Sequence, residues 1–564
     1  MSRPFALGVF AFTAVFCLLF LVYPILNTVK EAFVDPEGGF SLAYVIHALT
    51  NPIYLEGLTN AFSLAVASTL LAFAIALPLA VVSDRFRFPF KGVMASLILV
   101  PLILPPFVGA IGIKQLLGVN GAINALLIDA GAMDALHPFD WLGKGRFWGV
   151  AVMNALHLYP ILYLNITAAL ANLDPAMEEA AENLGANGWR RFTRITLPLT
   201  MPGIFAGGTI VFIWAFTELG VPLVFDYTRV TPVQIFHGIK ELSGNPFPYA
   251  LVVILLACTT AFYALSKYTL GRFNYTMNTR ATMAKTVESL RPVRGWLATG
   301  FFASVTAIAV LPHLGVILMA FAGDWNGTLL PEQLTLKHFA EALGDPLVVP
   351  SIQNSLFYAT IATVIDVVLG IAIAYVIVRT DLRGRQILDG MAMLPLAVPG
   401  LVLAFGYLAM TRPGEPFAFL RAGDNPTLIL IIAYATRRLP YVVRSAAAGF
   451  QQTSVALEEA ARNLGCPPLR ALRKVTMPLI AANLIAGALL AFAFAMLEVS
   501  DSLILAQQST YYPITKAIYQ LFNQLGNGHF LACALGVWAM VFLATTIAGA
   551  SAVLGKKLGA LFRV

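Results

Sequence analysis

The chain has 564 residues, of which 59% are hydrophobic and only 12% charged, against about 25% charged in an ordinary soluble domain. No soluble fold hides that much apolar surface, and single soluble cores stop growing near ~250 to 300 residues, so a water-solvated globular protein is excluded. The net charge of +7 falls in short basic clusters between long apolar runs rather than along one stripe, so no nucleic-acid partner is expected.

The first apolar run, Ala6 to Leu26, follows Arg3. It is longer than the ~7 to 15 residue core of a secretory signal and no small-x-small cleavage site closes it, so it is expected to be a retained first span. A span needs roughly 20 apolar residues to cross ~30 Å of hydrocarbon. Segments of that kind stand at 6–27, 58–83, 92–113, 147–172, 199–225, 248–270, 296–321, 354–379, 387–410, 427–449, 479–505 and 530–555. The runs are unbroken instead of alternating every second residue, which predicts an all-α polytopic membrane protein with twelve transmembrane helices.

Loop charge sets the orientation. Counted along the chain, 23 of the 36 Lys and Arg residues fall in one set of connections and at both termini, from Arg3 through the loops at 85–91, 190–194, 267–294, 379–385 and 462–474 to Arg563. The opposite loops hold ten. Both termini are therefore expected in the cytoplasm, with the lipid bilayer as solvent for most of the chain. Cys17, Cys258, Cys466 and Cys533 are scattered, so neither a disulfide framework nor a CxxC metal site is expected.

The chain also repeats itself. Asn60 laid on Asn354 aligns the next fifty residues at an offset of 294, bringing Pro101 onto Pro395, Pro105 onto Pro399 and Gly112 onto Gly406. Beyond a loop fourteen residues shorter in the second half the offset becomes 280, and Pro160 meets Pro440, Glu178 meets Glu458, Gly185 meets Gly465, Pro198 meets Pro478 and Glu218 meets Glu498. The predicted organisation is two parallel six-helix halves, residues 1–270 and 296–564, joined by a polar cytoplasmic linker at 271–295. Repeats of this kind usually carry a substrate path between them.

Within each half a polar segment interrupts the apolar runs, at 178–198 and at 458–478. The first reads Glu179-Ala180-Ala181, three residues, Gly185, nine residues, then Ile195-Thr196-Leu197-Pro198; the second reads Glu459-Ala460-Ala461, three residues, Gly465, nine residues, then Val475-Thr476-Met477-Pro478. Charged residues beside alanines predict a short helix too polar to insert, with a small face that another protein can approach. Gly185 and Gly465 are expected to end these helices in the left-handed conformation, and the prolines suit the first turn of the next helix.

This spacing resembles the EAA loop of the permeases of ATP-binding-cassette importers. The first copy matches every position; the second replaces Ile by Val and Leu by Met. The resemblance implies a type I importer permease with both halves fused, served by two copies of a separate ATP-binding subunit and by an extracytoplasmic substrate-binding protein, in the cytoplasmic (inner) membrane of a bacterium. Glu179, Ala180, Ala181, Gly185, Glu459, Ala460, Ala461 and Gly465 would couple to the ATPase, with the glutamates making polar contacts and the alanine pairs the close-packed face. The chain has no Gly-x4-Gly-Lys-Ser/Thr loop, so ATP and Mg would be held by the partners, with no cofactor and no catalytic site expected in this chain. Leu394 to Pro399, its first-half copy Val100 to Pro105, and Leu439 to Arg444 look most like ferric-iron importers; thiamine, phosphonate, polyamine and sulfate permeases are near relatives. A second resemblance is partial. Ser83 to Arg87 and Thr380 to Arg385 are similar to the loop signature of major-facilitator secondary carriers, without its leading Gly.

Charges inside apolar runs usually face a partner or a wet cavity, because each costs about 2.5 to 3.5 kcal/mol at the bilayer centre on insertion scales. Arg437 and Arg438, with His157 at the position equivalent to Arg437, are candidates for a translocation path or gate. So are Glu218, Glu498 and Asp501, the last two on one helical face. Pairing of the arginines with Glu498 or Asp501 is the alternative. Asp366 is expected to hydrogen-bond between helices. No tight Tyr, Asp or His cluster offers the hard ligands that iron(III) favours, so no metal site is expected in the chain.

Overall fold

A computed structural model describes residues 3–35, 38–143, 146–241, 246–271 and 288–554. Most of the expected linker and the cluster Lys556, Lys557 and Arg563 lie outside the described residues. Among the described residues helices dominate, and the one named strand pair is the two-residue parallel ladder of Phe86–Arg87 with Glu288–Ser289. Ten helices are long and apolar enough to cross a membrane, or eleven if one sharply bent pair counts as a single span.

The expectation of twelve unbroken spans is corrected at two places. The segment 387–410 is two helices, Arg385–Ala397 and Gly400–Met410, meeting at 97°. Its repeat partner 92–113 divides in the same place, into Lys91–Leu102 and a helix beginning at Pro106. Proline is the cause in both copies: Pro105 and Pro399 lack an amide proton and sit in an extended conformation, with ψ of 134° and 139°, as the residue before a helix does. The segment 427–449 does form a helix, Thr427–Gln452, but Arg437, Arg438 and Arg444 exceed the charge that an ordinary lipid-facing span carries.

The chain forms two compact units. One comprises Met1–Pro52, Gln234–Leu256 and Leu336–Phe562; the other comprises Ile53–Val233, Ala257–Thr335 and Arg563–Val564. Each sequence half thus contributes its first helix to the unit built mainly by the other half.

In the first unit, helix Val348–Arg379 packs on Thr427–Gln452, which packs on Met477–Met496. Small residues let these backbones approach: a Cβ at Gly370 would lie 2.7 Å from Val442, and one at Gly487 2.7 Å from Ser445. The N-terminal helix lies against Gly400–Met410, where a Cβ at Gly406 would meet Pro24 at 2.7 Å. Pro24 has no N–H to offer the Phe20 carbonyl one turn earlier, and the Tyr407 hydroxyl donates to that carbonyl at 2.8 Å instead.

In the second unit, helix Pro292–Phe321 crosses Pro106–Leu117 at a glycine contact, with a Cβ at Gly112 only 2.5 Å from the Val316 nitrogen. Gly203 and Gly207 seat Leu197–Phe216 on Phe147–Ala171 in the same way. The aligned pair Asn60 and Asn354 does matching work, each side-chain amide donating to loop carbonyls, of Arg229 in one unit and of Thr510 in the other.

Candidate functional site

The two polar loops fold alike. Helix Pro175–Asn183 is capped by Asp174, which accepts from the Ala176 amide at 3.0 Å, and helix Val455–Asn463 by Ser454, which accepts from Ala456 at 3.3 Å. Gly185 and Gly465 have φ of +80° and +83°. Behind each turn the Ala186 and Cys466 amides donate to the Ala181 and Ala461 carbonyls at 2.9 and 3.0 Å, which closes the helix end. A π turn follows in both copies, Phe192–Thr196 and Leu472–Thr476, before the next long helix begins.

Glu179, Glu459, Ala180 and Ala460 are exposed, whereas Ala181 is buried and Ala461 half-buried against the chain itself. Each alanine pair is therefore split, the first member open and the second turned toward the chain, as neighbours set about 100° apart on a helix allow. Beside the open alanines, Met177, Leu184 and Trp189 in the first loop and Leu457, Leu464 and Leu469 in the second are 46–89% exposed. All three pairs obey the 280 offset, so both loops present an apolar patch of the same layout. Sequence reasoning passed over these residues, although the offset relates them.

The intramembrane charges in the first unit converge. Arg437 donates to Glu498 at 2.5 Å and to Asp501 at 3.1 Å, and Arg438 also donates to Glu498. Glu498 is 5% exposed and Asp501 fully buried. The backbone carbonyl of Glu498 takes two further bonds, from Ser502 and Thr515, both at 2.6 Å. A Cβ at Gly400 would fall inside the Arg437 guanidinium, so the first residue after the proline break must be glycine for this arginine to lie across it.

The other half holds a different arrangement. His157 Nδ1 donates to the Pro101 carbonyl at 2.9 Å and faces a small cleft shared with Met153, Pro312 and His313. Pro106 stands where the second half has Gly400, which agrees with the smaller ring at 157. Glu218 accepts from the Gly220 and Val221 amides at 3.0 and 3.2 Å, capping a short helix. Of the six candidates, Arg437, Arg438, Glu498 and Asp501 form one cluster within the first unit, while His157 and Glu218 make the contacts just described in the second. Asp366 departs from expectation, since its carboxylate oxygens have no hydrogen-bond partner among the described residues.

A duplicated helical chain with long apolar spans, proline-broken helices and two matched polar helices outside them defines the membrane-embedded subunit of a transport system. The chain belongs to the binding-protein-dependent transport system inner membrane component family, which matches residues 76–274 and 366–552. This membership sets aside the secondary-carrier reading of the two Asp/Arg turns. The chain is similar to the ferric transport system permease protein FbpB of Actinobacillus pleuropneumoniae, with 26% identity over 563 residues, 96% of this chain and 77% of that one. It is also similar to two Haemophilus influenzae proteins. The spermidine/putrescine transport system permease protein PotB is 31% identical, with 47% of this chain and 93% of that one covered. The molybdenum transport system permease protein ModB is 32% identical, with 36% and 90% covered.

Proposed function

We propose that this chain is the fused permease subunit of an ATP-driven importer of ferric iron. The observation that carries the substrate is the similarity to a ferric transport permease along 96% of the chain, where the polyamine and molybdenum permeases align with about one half or less. In this reading the chain crosses a bacterial inner membrane twelve times, Thr427–Gln452 included, with both termini in the cytoplasm. Two copies of an ATP-binding subunit, holding ATP and Mg, dock on the loops around Glu179 and Glu459. An extracytoplasmic binding protein delivers the ligand. The charged cluster of Arg437, Arg438, Glu498 and Asp501 serves as a gate, and the chain carries neither cofactor nor catalytic residue.

Radiolabelled ferric iron should accumulate in cells expressing the system and stop when ATP is depleted at constant membrane potential. A proton ionophore that stops uptake while ATP depletion does not would overturn the energy source. Uptake of spermidine or molybdate, with none of iron, would overturn the substrate.

Orientation is tested separately. With the native cysteines replaced by serine, a cysteine at Arg383 is expected to react with a membrane-impermeant thiol reagent only after the membrane is opened, and cysteines at Asp140 or Asn326 in intact spheroplasts. The reverse pattern would place the polar loops where no ATPase reaches them.

A further inference from the structure

Each loop helix has a second glutamate, one residue before the exposed one, that turns inward. Glu178 and Glu458 are both the fourth residue of their helices. Glu178 accepts from Arg85 at 2.7 Å and from the Thr196 hydroxyl, and Arg85 also donates to Thr196 at 2.8 Å. In the other unit Glu458 accepts from Arg379 at 3.3 Å and from Thr476 at 2.9 Å. Arg85 and Arg379 are the last residues of the long helices Pro52–Arg85 and Val348–Arg379. Thr196 and Thr476 close the two π turns and are buried.

All three pairs obey the repeat offsets, 294 for the arginines and 280 for the glutamates and threonines. The side chains are largely withdrawn from water: 17% exposed for both Arg85 and Glu178, 6% for Arg379 and 11% for Glu458. A charge pair that shielded gives geometry as well as attraction, because one carboxylate can satisfy several donors only in a narrow set of positions. A loop that transmits force needs to be fixed to what it moves, and a carboxylate held from two elements is such a fixing point.

On the reading proposed above, we infer that Arg85–Glu178–Thr196 and Arg379–Glu458–Thr476 are positioning clamps. Each ties a loop helix at one carboxylate to the end of an earlier long helix, Pro52–Arg85 or Val348–Arg379, and to the π turn that opens the following helix, so that displacement of the loop by the ATPase is delivered to those spans. The two adjacent glutamates divide the work: Glu179 and Glu459 face the partner, and Glu178 and Glu458 hold the helix that carries them.

Two measurements test this. In the full chain purified alone into nanodiscs, Arg85→Ala is expected to speed amide exchange across Pro175–Asn183 at least ten-fold and leave helix Phe147–Ala171 unchanged. Thr196→Val, a milder change, should speed it about three-fold, and Arg85→Lys should retain most protection. Unchanged exchange in Arg85→Ala, or equal loss in Phe147–Ala171, overturns the clamp. In the assembled transporter from host membranes, Arg85→Ala with Arg379→Ala should leave ATP hydrolysis within two-fold and lower uptake at least ten-fold. Uptake at the unmodified rate overturns the coupling role. Failure of the unmodified chain to show ATP-dependent uptake would count against the proposed function instead, with the exchange result still deciding the clamp.

Discussion

Replacing Gly185 and Gly465 together by valine is expected to reduce ATP-dependent uptake below a tenth of normal while the chain still inserts at its usual level. Space is not the obstacle, since a Cβ at either position would meet nothing within 4 Å. The obstacle is the backbone: both residues have φ near +80°, where an L side chain costs about 1 to 2 kcal/mol and a β-branched one is more strained still. The chain relieves that strain by leaving the left-handed conformation, which breaks the hydrogen bonds that the Ala186 and Cys466 amides donate to Ala181 and Ala461 and swings the residues after the turn, Trp189 and Leu469 among them, out of register with Leu184 and Leu464. Asparagine tolerates this conformation, so Gly185→Asn with Gly465→Asn should keep most of the uptake. Normal uptake by the valine pair at equal membrane level would show that the turn has no part in coupling; equal loss with asparagine would move the cause from φ to the side chain.

The second large effect concerns Arg437. The cluster holds two arginines and two carboxylates, and Asp501 is paired with Arg437 whereas Glu498 is held by Arg438 as well. Removing one partner of a buried pair typically costs about 3 to 5 kcal/mol, so Arg437→Ala is expected to lower transport more than ten-fold at equal expression. The contacts also predict which second change repairs it. Asp501→Asn removes the charge left stranded and keeps the Arg438–Glu498 pair, so it should restore much of the activity. Glu498→Gln strands Arg438 and should restore less. Uptake unaffected by Arg437→Ala would show that the cluster is not a gate, and better rescue by Glu498→Gln would show that the pairs exchange partners.

Much of this site is visible in the sequence because it is duplicated. A spacing met twice at one offset marks Gly185 with Gly465, and the structure gives both the left-handed turn that glycine permits. The pairing of Arg437 with the acids was one of two readings the sequence allowed, since residues on facing helices leave no mark on each other's spacing. The proline breaks were in view as the aligned pairs Pro101 with Pro395 and Pro105 with Pro399, but hydropathy averages over a window and runs through a kink that adds no polarity. Arg85 and Arg379 were hidden for another reason. Both sit in a basic loop of the kind expected at any cytoplasmic end, and only geometry separates an arginine that holds Glu178 from one that faces water. His157 and Glu218 show the limit of the repeat: the alignment places them opposite Arg437 and Glu498, yet one bonds a carbonyl and the other caps a helix, because equivalent positions inherit a backbone and not its chemistry.

Exchange of the first helices has a consequence for how the molecule is made. Arg3–Ala32 finds its packing surface on residues 385–410, which leave the ribosome only after more than 350 intervening residues. At ~5 to 20 residues per second the first helix waits roughly 20 to 75 s in the bilayer with its Gly406-facing side uncovered. Cutting the gene between the halves would not yield two smaller folding units, for neither polypeptide would contain all of a compact unit. The fused gene delivers the two sets of helices to one place in equal number.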